Sequence, residues 1–164
     1  MRLNKEGYEA LHQREGLRLK PYLDTKGVPT IAIGNTYYEN GKAVTMQDKA
    51  LTKEEAMHLG NLTADKFALQ ISKLITSNVN QNQFNALVSL AYNIGITGFK
   101  NSTVLRLLNI NPNDIKIADA IAMWRKDEEV RSRRATELRQ YFDYKNATEN
   151  TKKYIDTVIK YQLV

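Results

Sequence analysis

The 164-residue sequence contains no cysteine. That excludes a disulfide framework, a thiol nucleophile and a cysteine-ligated zinc site. Histidine is scarce: His12 and His58 are too few for a His-rich metal centre. The single tryptophan, Trp124, is spaced with Ala120 and Ile121 as a core residue is, rather than as an exposed sugar platform. No segment approaches the ~20 consecutive apolar residues of a bilayer span, so no stable membrane insertion is expected. The opening MRLNKEGYEALHQREG has no apolar stretch of signal-peptide length, which points to synthesis in the cytosol. The N-x-[ST] triplets at Asn61, Asn101 and Asn146 are then chance matches.

What is present suits one soluble globular domain, with 42% hydrophobic and 26% charged residues. The balance is basic: 24 Lys+Arg against 18 Asp+Glu give a net charge of +6. Such a surface attracts polyanions, whether nucleic acid, anionic membrane or bacterial wall, and charge alone does not choose among them. The richest basic stretch holds Arg131, Arg133, Arg134 and Arg139. With Glu137 interleaved and no groove-reading motif, it reads as a solvated or wall-facing surface, and no nucleic-acid partner is expected.

The pattern opens with a helix over 4–13, Tyr8 and Leu11 facing inward. An extended segment follows through Leu19, Pro21, Tyr22 and Leu23, then a turn at DTKG (24–27). VPTIAIG (28–34) alternates, with Ile31 and Ile33 on one face and Thr30 and Ala32 on the other. ENGK (39–42) signals a two-residue hairpin between Tyr37-Tyr38 and Ala43-Val44. Together these predict a small antiparallel sheet over 18–45. TKEE (52–55) is a capping box opening a long helix over 53–75. Further helices are expected over 81–93, ended by Gly95 and Gly98; from near Ser102; from Asn111-Pro112 through Trp124; and across DEEVRSRRATELRQYF. A last amphipathic helix carries Tyr154, Ile155, Val158 and Ile159. The expected fold class is α+β: a β lobe at about 15–50, a linking helix at about 53–75 and a helical lobe at about 80–164. All three belong to one domain, with a cleft between the lobes.

Three residues in the β segment carry possible chemistry. Glu15 ends a helix near Leu11, Leu17 and Leu19, and a carboxyl partly withdrawn from water there suits a general acid. Asp24 sits in a turn open to water. Thr30 offers a hydroxyl that both donates and accepts. An acid, a carboxylate and a hydroxyl around a cleft fit glycosidic hydrolysis. The spacing alone fits equally a turn-forming Asp and a solvated helix-end Glu.

Three blocks in order add to this. The first is EGLRLKPYLDTKGVPTIAIG, the second NQNQFNALVSLAYNIGITGFKNST (80–103), the third RRATELRQYF. They resemble the phage-type lysozymes, glycoside hydrolase family 24, the endolysins of tailed bacteriophages. The resemblance covers roughly residues 8–142. It implies a lysozyme-like fold and places the family's catalytic Glu, Asp and Thr on Glu15, Asp24 and Thr30. It puts substrate contacts on Thr36, Tyr92, Ser102 and Arg133, the last as an arginine approaching the catalytic Glu. Ala32 stands where the family usually has Gly and is expected to narrow the backbone approach to substrate. Asn35 replaces a frequent His, and Pro29 stiffens the strand before Thr30.

The function so implied is hydrolysis of the β-1,4 bond between N-acetylmuramic acid and N-acetylglucosamine in peptidoglycan, by an inverting, monomeric enzyme. It would stay in the host cytoplasm until a holin opens the membrane, then act in the periplasm or cell wall. Two rivals stand beside it. A lytic transglycosylase breaks the same bond without water and does not require Asp24 and Thr30. A wall-binding virion module could keep the fold without catalysis.

Overall fold

The computed structural model describes all residues, 1–164. Its contacts divide the chain into two compact units, Tyr8–Lys66 and Met1–Gly7 with Phe67–Val164. The boundaries fall inside helices: the first within α1 (Lys5–Glu15), the second within α2 (Lys53–Ser72).

In the first unit α1 leads into β1 (Arg18–Leu23), which pairs antiparallel with β2 (Pro29–Ala32). The register sets Leu23 against Pro29 and Tyr22 against Thr30, then slips before Arg18 meets Ala32. Pro29 is tolerated because it opens its strand. The sheet stops at two strands. The hairpin expected at 39–42 forms, but its flanks pair only through the Tyr37–Ala43 bridge. Tyr38 N–H donates to Lys42 O at 2.9 Å, so the loop has three residues rather than two, with Gly41 left-handed at its end. The extra residue twists the flanks out of a longer ladder. The turn at 24–28 is built the same way, with Asp24 N–H on Val28 O at 3.0 Å and Gly27 left-handed.

Beyond β2 the alternating pattern breaks. Ile31 and Asn35 exchange both backbone hydrogen bonds at 2.9 Å, closing a tight turn. It needs left-handed backbone at Ala32 (φ 55°) and Gly34 (φ 100°). Thr30, Ile31, Ala32 and Ile33 are all buried, so both faces expected of the segment are covered. The Ala32 methyl does not narrow an approach to substrate. It is fully enclosed in a cluster with Ile31, Val44, Ala56 and Leu59, and its consequence is backbone strain instead. The α2 capping box forms as expected: Thr52 N–H donates to Glu55 Oε2 at 2.7 Å, and Glu55 N–H to Thr52 Oγ1 at 3.2 Å.

The second unit is helical. α3 (Gln81–Ile94) starts at a second capping box, Asn80 with Gln83, and ends at Gly95. Gly98 does not end that helix; it lies inside the short α4 (Ile96–Lys100). α5 (Thr103–Ile110) is capped by Ser102. The next helix begins later than its Asn-Pro signal. Asn111 Oδ1 accepts from Asn113 N–H at 3.0 Å and Asp114 Oδ1 from Lys116 N–H at 2.9 Å. These side-chain turns divert the chain, and α6 runs only over Ile117–Ala122. α7 (Glu128–Tyr141), α8 (Glu149–Val158) and a π-helical turn (Ile159–Leu163) complete the chain. Phe84, Leu87, Val88, Phe99, Leu108, Ile117, Leu138, Tyr141 and Ile155 form a core with at most 1% exposure. Trp124 is half-buried rather than a core residue.

Candidate active site

Glu15 is the last residue of α1. Gly16 turns the chain away, its N–H closing on His12 O at 3.0 Å, and β1 starts two residues later. Glu15 is half-buried, and its Oε1 is shut off from solvent. Of the three leucines expected near Glu15, Leu11 is buried and Leu17 half-buried, while Leu19 is exposed.

Asp24 and Thr30 are brought together by one residue that the sequence did not mark. Val28 donates its N–H to Asp24 Oδ1 at 2.8 Å, and its carbonyl accepts the Thr30 hydroxyl at 2.8 Å. Lys26 N–H adds a second 2.8 Å bond to the same Asp24 oxygen. The carboxylate is thus fixed through Oδ1, leaving Oδ2 for another donor. The Thr30 proton is committed to Val28 O, leaving the oxygen's lone pairs as acceptors. Thr30 is only 2% exposed.

Of the expected substrate contacts, Thr36 lies past the Ile31–Asn35 turn, half-buried, its carbonyl accepting from Val44 N–H. The other three belong to the helical unit and to separate elements. Tyr92, on α3, stacks at a tilt on Phe67 with ring centroids 4.6 Å apart. Ser102 is buried and its hydroxyl caps a helix, donating to Phe99 O at 2.7 Å and accepting from Leu105 N–H at 3.1 Å.

Arg133 and Arg134 belong to a buried ionic network, which corrects the reading of these two as part of a solvated face, whereas Arg139 is exposed. Glu137 and Arg134 have no exposed surface, and the Arg133 side chain is 9% exposed. Glu137 accepts from Arg133 Nε at 3.0 Å, Arg134 Nη1 at 2.5 Å and Ser89 Oγ at 2.6 Å. Arg134 also donates to Asn93 and to Trp124 O. Charges enter a core only when paired and hydrogen-bonded, and here the partners come from α3, from α7 and from the Trp124 carbonyl between α6 and α7. The i, i+3 and i, i+4 spacing of Arg134 and Arg133 to Glu137 was visible in RRATE; Ser89, supplied by another helix, was not.

A mainly helical fold with a small two-stranded antiparallel sheet places the chain in the lysozyme class. Residues 12–140 match the family model described as phage lysozyme. The endolysin of Salmonella phage P22 is 39% identical over 126 residues, 77% of this chain and 85% of that protein. The endolysin of Bacillus phage B103 is 35% identical over 130 residues, and the match spans about half of that longer protein, 46%. Among solved structures, the endolysin of Escherichia coli O157:H7 phage FAHEc1 superposes with a TM-score of 0.81 at 33% identity, covering 91% of this chain and 98% of that one. A single-site variant of P22 lysozyme gives 0.74 at 36% identity, covering 84% and 99%. The chain belongs to the phage lysozyme family. It is an enzyme, a peptidoglycan hydrolase of the endolysin kind.

Proposed function

We propose that this enzyme cleaves the β-1,4 bond between N-acetylmuramic acid and N-acetylglucosamine, with Glu15 as general acid and Asp24 and Thr30 seating the attacking water. The observation that carries the reading is the shared anchor on Val28. A water has two protons to place. Asp24 is fixed through Oδ1 to the N–H of Val28, and Thr30 through its hydroxyl proton to the C=O of the same residue, so the two acceptors left over, Asp24 Oδ2 and the Thr30 oxygen, are placed by backbone rather than by side-chain freedom. Such a water attacks the anomeric carbon and gives up a proton to Asp24, while the glycosidic C–O bond breaks and Glu15 protonates the departing oxygen. One displacement inverts the centre.

Thr36, Tyr92, Ser102 and Arg133 serve as contacts to the glycan in this reading. The enzyme works as a monomer and needs no cofactor. No helix is long and apolar enough to cross a membrane. We pair the enzyme with a membrane pore made by another protein, a holin, through which it leaves the host cytoplasm for the wall.

Early products from purified sacculi, examined by proton NMR before mutarotation, test the mechanism. The new reducing ends should appear as the α-anomer. An early β-anomer would mean a covalent sugar on Asp24. A 1,6-anhydro product would mean a transglycosylase that admits no water. Sedimentation with sacculi without any new product would leave a binding module.

A further inference from the structure

We propose that Glu137, together with Ser89, is a positioning residue that fixes the guanidinium of Arg133. The inference rests on the reading of Arg133 as a substrate contact and concerns what aims it. Arg133 is gripped along one edge at three points: Nε on Glu137 Oε1 at 3.0 Å, and Nη2 on Ser89 O at 2.8 Å and on Ser89 Oγ at 3.3 Å. A guanidinium is planar, so holding the Nε–Nη2 edge sets the whole plane and directs the Nη1 side away from Glu137.

The holders are held in turn. Ser89 donates its own proton to Glu137 Oε1 at 2.6 Å, so the two groups that touch Arg133 are bonded to each other. Arg134 closes on the other carboxylate oxygen, Oε2, at 2.5 Å, and also donates to Trp124 O and Asn93. Arg134 is wholly buried and faces inward; Arg133, its neighbour, keeps some exposure.

Stability gives a poor account of this arrangement. Removing ions from water is costly, and apolar residues of similar volume often serve a core as well or better. An ionic network with every member bonded does supply a fixed geometry, which a long, flexible arginine otherwise lacks.

The test is a double-mutant cycle of Ser89→Ala and Arg133→Met, with kcat and KM measured on soluble glycan fragments and Tm measured in parallel. Ser89→Ala removes one hydroxyl and leaves the ion pairs. The conservative core change Ile155→Val, in the same unit, calibrates simple loss of stability. Ser89→Ala should raise KM about tenfold in the parent enzyme, as misplacement of a binding group does. In the Arg133→Met background it should have no effect, and Ile155→Val should leave KM unchanged at a similar fall in Tm. Equal losses from Ser89→Ala in both backgrounds, or a fall in Tm alone, would overturn the positioning role while Arg133→Met stays impaired. Full activity in Arg133→Met would instead remove the substrate role of Arg133, and the proposal with it.

Discussion

His12 packs against Gly60 where any other residue would place a Cβ. An added carbon there would lie 2.8 Å from His12 Cε1 and 3.0 Å from Ile33 Cγ1. His12 is 6% exposed, and its Nε2 lies 2.8 Å from Asn61 Oδ1. The glycine therefore sets how near α1 approaches α2, three residues before Glu15. Gly60→Ala should lose about 1–2 kcal/mol in urea unfolding, because overpacking outweighs a helix-propensity gain of about 1 kcal/mol. A stabilised variant would show that the His12 ring moves aside freely.

Two non-glycine residues hold left-handed backbone, and they should respond oppositely to substitution. Asp143 (φ 44°) ends α7, where Tyr144 N–H reaches Arg139 O at 2.9 Å and Asp143 N–H reaches Gln140 O at 3.2 Å. This is the Schellman pattern, which favours glycine. Asp143→Gly should raise stability by about 0.5–1 kcal/mol, despite losing the exposed contacts to Asn146. Ala32 (φ 55°) has no exposed surface, so Ala32→Val adds both backbone strain and bulk. It should lose more than about 2 kcal/mol. Thermal unfolding of both variants decides.

Asp24→Asn keeps an oxygen for the two N–H donors of the turn and removes the negative charge. It should fold normally and lose activity by about 100-fold or more, as should Glu15→Gln. Thr30→Val removes the hydroxyl alone; it should cost about 1 kcal/mol of stability and a larger share of activity. Turbidity clearing of sacculi, with circular dichroism as the folding check, measures all three. Near-parent rates in Asp24→Asn would sink the water-seating role.

Alkali should weaken the fold through the C-terminal region. The Tyr154 hydroxyl donates to Asp119 Oδ2 at 2.5 Å, and this bond, with desolvation, pushes its pKa up to about 12. The folded state therefore binds this proton more tightly than the unfolded chain. The stabilisation is complete below pH 10 and lost as pH rises from 10 to 12. Burial raises Tyr141 as well. Tyr154→Phe should be less stable at pH 8 and lose less between pH 9 and pH 12, in urea titrations at each pH.

The basic excess is unevenly placed. The Tyr8–Lys66 unit has 8 Lys+Arg and 8 Asp+Glu, whereas the helical unit has 16 and 10, so the whole +6 lies in the helical unit. Binding to sacculi should weaken as salt screens that charge. Replacing exposed Lys100, Arg106, Arg125 and Lys126 by glutamine should lower both affinity and its salt dependence. Four replacements in the other unit, at Lys20, Lys26, Lys49 and Lys53, should do less. Equal effects would mean that only total charge matters.

Local signals fixed much of this protein. The capping box at Thr52 and Glu55, the Asn80 and Ser102 helix starts, the turn at Asp24 and the end of α1 at Glu15 each depend on residues within four positions, and their chemistry is visible in the chain. Where two local signals competed, the sequence was less decisive: Asn111 and Asp114 could cap a helix or form side-chain turns, and packing of Ile117 and Ala118 selected the later start. Relations between distant residues were beyond reach. The burial of Ala32 depends on α2, which supplies Ala56 and Leu59. The burial of Arg134 and Glu137 depends on Ser89 and Asn93, more than 40 positions away. A charged residue reads as exposed until the partner that neutralises it is known, and only the tertiary structure brings that partner into place.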